Sequence, residues 1–156
     1  MKSQPIILLI LATLLTLCAF SNSALAISRK STLGQRLFFE KNLSNPPGQA
    51  CGSCHDPKRF STDPDQAKPT SEGVIEGRYR SRNAPTLFYA SASPAFHFDK
   101  NKGLFIGGQF VDGRAATAAQ QAKQPFLEPL EMNNANAQEL VEKVCMANYA
   151  SLFRSV

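Results

Sequence analysis

The residues Cys51-Gly52-Ser53-Cys54-His55 form a C-x-x-C-H motif, and this motif decides how the whole chain is interpreted. Two thiols at this spacing can each add to one vinyl group of a haem, and the histidine that follows can bind the iron from one face. A disulfide and a zinc site are the alternatives for the cysteine pair. Zinc would need further ligands, and beyond residue 26 only Cys145 and His97 remain, far away in the sequence. The motif therefore predicts one covalently bound haem c in this chain, with His55 as the proximal iron ligand.

The start of the chain predicts export. Lys2 supplies a positive charge, the apolar run 6–20 has the length of a signal-peptide core, and Ala24-Leu25-Ala26 has the small-residue pattern of a cleavage site. The run is shorter than the roughly 20 residues that a membrane-spanning helix needs. We therefore expect a signal peptide over residues 1–26, cleavage after Ala26 and a periplasmic protein. A retained N-terminal anchor is the main alternative; Cys18 raises a lipoprotein, but Leu17 before it is too bulky for a lipobox.

The composition indicates one small, mildly basic domain. The 156 residues include 17 Lys and Arg against 12 Asp and Glu, for a net charge of +5. Residues 27–156 suffice for a single domain with a modest core. The cations are scattered and form no patch interleaved with aromatic residues, so nucleic acid is not an expected partner. Cys145 is left over from the motif, and we expect it to be buried by helix packing, with pairing to another chain as the alternative.

Short helices are predicted near both ends of this domain, with loops between them. Loops are indicated by the many Pro, Asp, Ser and Gly residues over 56–77 and by the glycines over 103–114, and strands are hard to find. Three helices are predicted: one capped by Ser31 or Thr32 that runs through Leu33, Leu37 and Phe38; one over Ala115–Gln124, ended by Pro125; and an amphipathic one, capped by Asn136, with apolar positions Leu140, Val141, Val144, Tyr149 and Leu152. The predicted fold class is therefore mainly α, a cytochrome c-like haem domain with short helices and long loops.

Five motifs outside C-x-x-C-H carry a family resemblance. They follow one another along the chain: LGQRLFF at 33–39, RNAPTL at 82–87, FVDGRA at 110–115, QA at 121–122 and PLEM at 129–132. In this order and spacing they closely resemble the N-terminal haem domain of the bacterial dihaem cytochrome c peroxidase/MauG superfamily. The resemblance covers essentially all of residues 27–156 and is far more specific than the haem motif alone.

The resemblance implies a peroxidatic haem, where hydrogen peroxide is reduced to water with electrons from a small donor cytochrome or copper protein. It also implies a distal pocket with a catalytic glutamate, here Glu131, and a glutamine that precedes it in the sequence, here Gln121. A carboxylate near the iron can take a proton from one peroxide oxygen and return it to the other. Gln121 is expected to orient the peroxide or Glu131. Glu128 is expected at the surface.

Two more residues are assigned to the surroundings of the haem. Arg114 is expected to anchor Asp112, a loop turn or a haem propionate, where its planar fork is useful. His97 is the candidate sixth ligand, because many family members place a detachable histidine over this haem. A structural histidine in an aromatic loop is the alternative reading of His97. Met132, Met146, a water or a tyrosine are the other candidates for that coordination position.

Two departures from the family pattern alter what we expect of the chain. Where the family usually has Phe-Trp-Asp-Gly-Arg, Val111 replaces the tryptophan and offers no aromatic ring for electron passage between haems. The family chain also carries a second C-x-x-C-H domain, and this sequence contains none. We therefore expect a truncated or split product, or a domain that works with a second haem domain on a separate or missing segment. Calcium is expected in the full-length enzyme, without assignable ligands in this chain.

Three functions are compatible with these observations. The first is a periplasmic c-type haem peroxidase domain that reduces hydrogen peroxide, incomplete without a second haem domain. The alternative is a monohaem cytochrome c electron carrier without peroxidase activity, whose iron would keep six ligands at all times. The third, a MauG-like oxidation of residues on another protein, needs two haems and is disfavoured by the single C-x-x-C-H motif.

Overall fold

The computed structural model describes residues 28–156 as short helices and one small sheet, joined by long loops. The helices are α1 (Arg29–Phe39), α2 (Cys51–Cys54), α3 (Ala118–Gln121), α4 (Gln124–Leu127), α5 (Ala137–Met146) and α6 (Ala150–Arg154). The strands are β1 (His97–Asp99) and β2 (Leu104–Ile106), and 3-10 turns lie at Lys41–Leu43, Pro57–Arg59 and Ala90–Ala92. The mainly α class is thereby confirmed. The expected signal peptide, residues 1–26, lies outside the described residues. From residue 28 onward, no helix combines the length and the apolar character needed to cross a membrane.

The core lies where α1, near the N-terminus, meets α5 and α6 at the C-terminus. Its buried side chains are Leu33, Leu43, Met132, Val144 and Tyr149, and half-buried apolar side chains pack around them: Leu37, Phe126, Leu140, Ala147, Leu152 and Phe153. Full burial of one such side chain is worth about 1.5–3 kcal/mol. Because Met132 is part of this core, the residue before it, Glu131, is tied to the best-packed region of the molecule. Met132 is therefore not available as an iron ligand, and Met146 is 80% exposed on α5.

The N-cap of helix α1 lies three residues before Ser31, the first of the two predicted caps. Ser28 is the N-cap, and its side-chain oxygen accepts a hydrogen bond from the Ser31 N–H at 3.1 Å. Ser31 and Thr32, the predicted caps, lie inside the first turn, and the Thr32 hydroxyl donates back to the Ser28 carbonyl at 3.3 Å. The prediction placed the cap too late because Ser, Ser and Thr all occur at the start of this helix, and each has a cap-compatible side chain.

The predicted helix over Ala115–Gln124 is wrong, because two separate turns occupy this region. Thr117 caps α3, accepting a hydrogen bond from the Gln120 N–H at 3.2 Å, and α3 ends at Gln121. Pro125 then lies in the first turn of α4 instead of ending a helix. The first turn of a helix leaves its N–H groups without partners, so a residue that lacks one is tolerated there.

The predicted cap Asn136 is confirmed, and its side chain accepts a hydrogen bond from the Glu139 N–H at 2.9 Å. The helix that it starts ends at Met146, and a second helix, α6, carries Leu152. Val144 is buried in the core as predicted, whereas Cys145 is exposed. The expectation that Cys145 is buried by helix packing is therefore wrong, because successive residues of a helix point in different directions.

A β-hairpin, which the sequence did not predict, lies in the glycine-rich region. β1 and β2 pair antiparallel with His97 opposite Ile106 and Phe98 opposite Phe105. The Phe105 ring stacks on Phe96 at 5.3 Å between centroids and meets the edge of Phe98 at 5.1 Å. Aromatic pairs of this kind stabilise a sheet by a few tenths to about 1 kcal/mol each, which is enough to favour short strands that have little period-2 pattern.

A buried polar network joins the two ends of the domain. Asn134 is 3% exposed, and its side-chain amide donates to the carbonyls of Leu43 and Phe126 at 2.7 Å each. Its oxygen accepts from the Lys143 ammonium at 2.6 Å, which also donates to the Ser44 carbonyl at 2.8 Å. Buried polar groups are costly unless they are all paired, and here they are paired with one another.

We predict that Asn134→Ala lowers the free energy of unfolding by about 2 kcal/mol, because the Leu43 carbonyl loses its side-chain donor and the Phe126 carbonyl and the Lys143 ammonium each lose one of their partners. Urea unfolding followed by circular dichroism measures the loss. The matched control is Asn101→Ala, at an exposed turn position of the hairpin, which should change the stability by less than about 0.5 kcal/mol. Equal losses in the two variants would contradict the structural role of the network.

Candidate functional site

The C-x-x-C-H motif folds as a single helical turn with both thiols on it. The Ala50 N–H donates to the Ser53 hydroxyl at 3.0 Å, and the His55 N–H donates to the Cys51 carbonyl at 2.9 Å. Cys51 and Cys54 are three residues apart, so their side chains lie on the same face of the turn. The turn packs closely on the Phe39 ring, because a Cβ added at Gly52 would come within 2.8 Å of that ring and would displace it. The turn thus presents two thiols in parallel from a base packed against α1.

Both thiols are free and half-buried, so the disulfide alternative is not formed in this structure. Burial raises the pKa of Cys51, and it raises the pKa of Cys54 to about 11, with the charge of Asp63 as the second cause. Near neutral pH both sulfurs therefore remain in the S–H form. Within residues 28–156 no three His, Cys, Asp or Glu side chains cluster so that they could hold a metal ion, so the donor set of the zinc alternative is not assembled there.

The His55 ring is held by the loop that follows it. Its Nδ1 lies 3.1 Å from the Ser61 carbonyl oxygen, and because a carbonyl only accepts, Nδ1 must carry the proton. Nε2 is then the nitrogen that is free to bind iron, which is the usual arrangement of a metal-ligating histidine.

The loop that holds His55 has an unusual backbone. Phe60 and Ser61 both have a φ of +55°, in the left-handed region that side chains rarely adopt. Hydrogen bonds fix this conformation: the Ser61 N–H donates to the Asp56 carbonyl at 2.9 Å, and the Thr86 hydroxyl donates to the Phe60 carbonyl at 2.5 Å. Strain of this kind persists only where the surroundings hold it, and here its result is the position of the carbonyl that orients the imidazole.

Glu131 is fixed through its backbone and through its side chain. Its N–H donates to the Glu128 carbonyl at 2.9 Å, and its own carbonyl accepts from the Val74 N–H at 2.8 Å. The carboxylate lies 3.1 Å from Arg80 Nε, and the same guanidinium binds Glu128 at 2.9 Å. Glu128, expected at the surface, is therefore engaged in an ion pair, with its side chain only 32% exposed.

The charges around Glu131 act in opposite directions on its proton affinity. Burial raises the pKa of Glu131, the Arg80 guanidinium lowers it, Glu128 raises it and Arg114 lowers it. The charge of Glu131 in turn contributes to raising the pKa of both Cys51 and Cys54. Hydrogen bonds connect the two segments: Gln49 donates to Cys54 Sγ and to the Glu72 carbonyl, and the Val74 N–H donates to the Glu131 carbonyl. The backbone of Glu131 is thereby linked to the C-x-x-C-H turn through residues 72–74.

Three other residues were predicted for the site: Arg114, Gln121 and His97. Arg114 binds both carboxylate oxygens of Asp112 at 2.9 Å, as one of its expected roles required, and lies 3.5 Å from the centre of the Phe110 ring. Gln121 is half-buried at the end of α3. His97 is exposed on β1, with Nδ1 2.8 Å from the Ala95 carbonyl. No hydrogen bond among residues 28–156 links Gln121 or His97 to Glu131.

Val111, which replaces the tryptophan of the family pattern, is 77% exposed. It lies in the same loop as the Asp112–Arg114 pair. An aliphatic side chain is therefore exposed to solvent at this position.

Two residues of the site could not be found from the sequence. Arg80 lies next to the motif RNAPTL, but nothing local indicates that it binds carboxylates in the PLEM region. Gln49 is buried, and its amide donates to the Glu72 carbonyl at 2.8 Å and to Cys54 Sγ at 3.5 Å. It therefore joins the helical turn of the motif to the loop that carries Arg80. The Arg80–Glu131 and Gln49–Glu72 contacts join segments that are distant in the sequence, so no periodicity or spacing could reveal them.

These residues fit a covalently bound haem. Two S–H groups lie on one face of a turn, the following histidine has its Nδ1 proton committed and its Nε2 free, and a half-buried carboxylate lies nearby. This donor set is that of a protein of the covalent-haem class.

Comparisons with known proteins agree with that class. The family model described as di-haem cytochrome c peroxidase matches residues 28–156, so the chain belongs to the di-haem cytochrome c peroxidase family, as its motifs predicted. The methylamine utilization protein MauG of Paracoccus denitrificans is 48% identical over 105 residues, which are 65% of this chain and 27% of that protein. The cytochrome c551 peroxidase of Pseudomonas aeruginosa is 33% identical over 125 residues, 78% of this chain and 30% of that protein.

The fold also matches a solved structure. The diheme peroxidase BthA of Burkholderia thailandensis superposes with a TM-score of 0.74 at 37% identity, over 80% of this chain and 31% of that chain. The matched part of the chain therefore spans between a quarter and a third of the length of these relatives.

We predict that the double variant Cys51→Ala/Cys54→Ala, produced together with haem-attachment machinery, carries no haem after denaturing electrophoresis. Each thiol can form one thioether, so removing both removes every covalent link. Haem-stained gels make the measurement. Cys145→Ala is the matched control, and it should retain the haem because Cys145 is exposed and outside the motif. Haem that survives denaturation in the double variant would contradict the assignment.

Proposed function

We propose that residues 28–156 form a cytochrome c-like haem domain that reduces hydrogen peroxide to water in the periplasm. Electrons are supplied by a small donor cytochrome or copper protein, through a second haem domain of the kind that the name of the diheme relative implies. One observation carries the proposal: the segment 72–74 binds the haem motif through Gln49 and binds the Glu131 carbonyl through the Val74 N–H, while Arg80 holds the Glu131 carboxylate at 3.1 Å. The relatives named cytochrome c peroxidase support the same chemistry.

The haem is held by the C-x-x-C-H turn in this proposal. Cys51 and Cys54 would provide the thioether sulfurs, and His55 would provide Nε2 to the iron. The Nδ1–H of His55, bound to the Ser61 carbonyl, makes the imidazole a better electron donor. When bound, the haem iron supplies the site that takes up hydrogen peroxide and the electrons that reduce it.

Glu131 acts as the acid and base of the reaction. It accepts a proton from one peroxide oxygen and delivers it to the other, which leaves as water when the O–O bond breaks. Two electrons and two further protons complete the balance, so that one hydrogen peroxide yields two waters. Burial raises the pKa of Glu131 and brings it closer to neutral pH, where a group that must both take and give a proton works best. Gln121 orients the peroxide or Glu131, and Arg114 borders the site.

A role in methylamine utilisation is the second candidate function. It is favoured by the 48% identity to MauG of Paracoccus denitrificans, which exceeds the 33% identity to the peroxidase of Pseudomonas aeruginosa. This role would use the same haem site and the same carboxylate.

We predict that Glu131→Gln slows the reaction of the haem-loaded protein with hydrogen peroxide by about 100-fold or more, the usual contribution of a positioned acid and base. Glutamine keeps the shape of the side chain and removes its proton chemistry. Stopped-flow absorbance in the Soret band measures the rate. Glu142→Gln, on the exposed side of α5, is the matched control and should react like the unaltered protein.

Two results would reject the proposal. An unchanged rate in Glu131→Gln would remove Glu131 from the mechanism. An unaltered protein that neither binds cyanide nor reacts with peroxide would instead indicate the alternative function, a monohaem electron carrier.

A further inference from the structure

Arg80 links the candidate catalytic carboxylate to a second carboxylate. Its Nε lies 3.1 Å from Glu131, and a terminal nitrogen lies 2.9 Å from Glu128. All three side chains are largely shielded from water, at 28% exposed for Arg80 and Glu131 and 32% for Glu128. Solvent and salt screen an ion pair of this kind less than a fully exposed pair, so each charge has a larger effect on the proton affinity of its partner.

The segment that carries Arg80 is fixed to the backbone of Glu131. The Val74 N–H donates to the Glu131 carbonyl at 2.8 Å, and Gly73 leaves no room for a Cβ, which would lie 2.5 Å from the Leu130 carbonyl oxygen. Across the same loop, the Gly73 N–H donates to the Arg78 carbonyl at 2.7 Å and the Arg80 N–H donates to the Ser71 carbonyl at 3.2 Å. Backbone contacts therefore set the distance between the guanidinium and the carboxylate before the side chains meet.

The chemistry of the three side chains explains the choice of arginine. A guanidinium has five N–H donors in a rigid plane and keeps its charge at any relevant pH, so it can bind two carboxylates at once. Two carboxylates and one guanidinium leave one negative charge in the trio, which can therefore take up one proton. When Glu131 takes that proton, Glu128 still holds the guanidinium in place.

We propose that Arg80 is the positioning residue of Glu131 and that Glu128 anchors Arg80 while Glu131 exchanges its proton. The inference rests on the proposed role of Glu131 as acid and base. Arg80 and Glu128 therefore act through Glu131 and do not act on the peroxide directly.

The two residues have opposite effects on the pH dependence of the reaction. Glu131 acts as a base in its carboxylate form, so the rate falls as the pH falls through its pKa. Removing the positive charge of Arg80 raises that pKa and moves the acid limb to higher pH. Removing the negative charge of Glu128 lowers it and moves the limb to lower pH. The other charged group that acts on Glu131 is Arg114, and neither variant changes it.

The test measures the rate of peroxide reaction against pH for the haem-loaded protein with Arg80→Gln, Arg80→Lys and Glu128→Gln. Arg80→Gln should shift the acid limb up by about one pH unit or more, the usual effect of one opposite charge at this distance. Arg80→Lys, which keeps the charge, should restore most of that shift, and Glu128→Gln should shift the limb downward. The matched control is Arg154→Gln, at an exposed position of α6, with no shift.

A second readout does not depend on activity. The urea midpoint of Arg80→Gln/Glu131→Gln should fall by less than the sum of the two single changes, because the second substitution removes a contact that the first has already broken. Additive changes would show that the two side chains do not interact and would overturn the inference.

The outcomes separate this inference from the proposed function. A normal rate in Glu131→Gln overturns both. A slow Glu131→Gln together with an unshifted acid limb in Arg80→Gln leaves the proposed function intact and overturns the role of Arg80. If Arg80→Gln does not fold, the direction of the shift in Glu128→Gln decides, and an upward or absent shift is the overturning result.

Discussion

The hydrogen bond from the Val74 N–H to the Glu131 carbonyl holds together two parts of the site that lie far apart in the sequence. On one side of it, Gln49 joins the same loop to Cys54 through the Glu72 carbonyl. On the other side, the residue after Glu131 is buried in the hydrophobic core. The position of the carboxylate relative to the paired thiols is therefore set by backbone contacts and core packing. A side chain placed in this way loses little entropy when it acts.

The charge environment of Glu131 follows from that placement. Burial shifts a carboxylate towards its neutral form, and a nearby positive charge shifts it back towards the ionised form. Arg80 supplies this positive charge and lowers the pKa of Glu131. The negative charge of Glu128, which binds the same guanidinium, offsets part of that effect. Perturbed acids of this kind are common at functional sites, although structural ion pairs produce them too. Here the nearness to the haem motif favours a functional role.

Sequence reasoning succeeded where the determining interaction is local. The cap Asn136 depends on residues within one turn, and it was predicted. It failed at Pro125, where proline is compatible with both the end and the start of a helix. It also failed for the hairpin His97–Ile106, which is stabilised by aromatic contacts and not by alternation. The pairing of Arg80 with Glu131 had no local signal, because the two segments meet only after folding. The family resemblance could point to Glu131 but not to the residues that hold it.

Two guanidinium groups act on Glu131, and direct contact with its carboxylate decides which one has the greater effect. Arg114 binds both oxygens of Asp112 and stacks on Phe110, so most of its charge is already balanced within its own loop. Arg80 forms no ion pair with a carboxylate of its own loop, residues 71–80. It binds Glu128 and Glu131, which lie three positions apart in the sequence. Because Coulomb attraction weakens with distance, and Arg80 contacts the Glu131 carboxylate at 3.1 Å whereas Arg114 forms no ion pair with it among residues 28–156, Arg80 dominates at Glu131. The order of the two effects on the pKa of Glu131, with Arg80 ahead of Arg114, agrees with this reasoning.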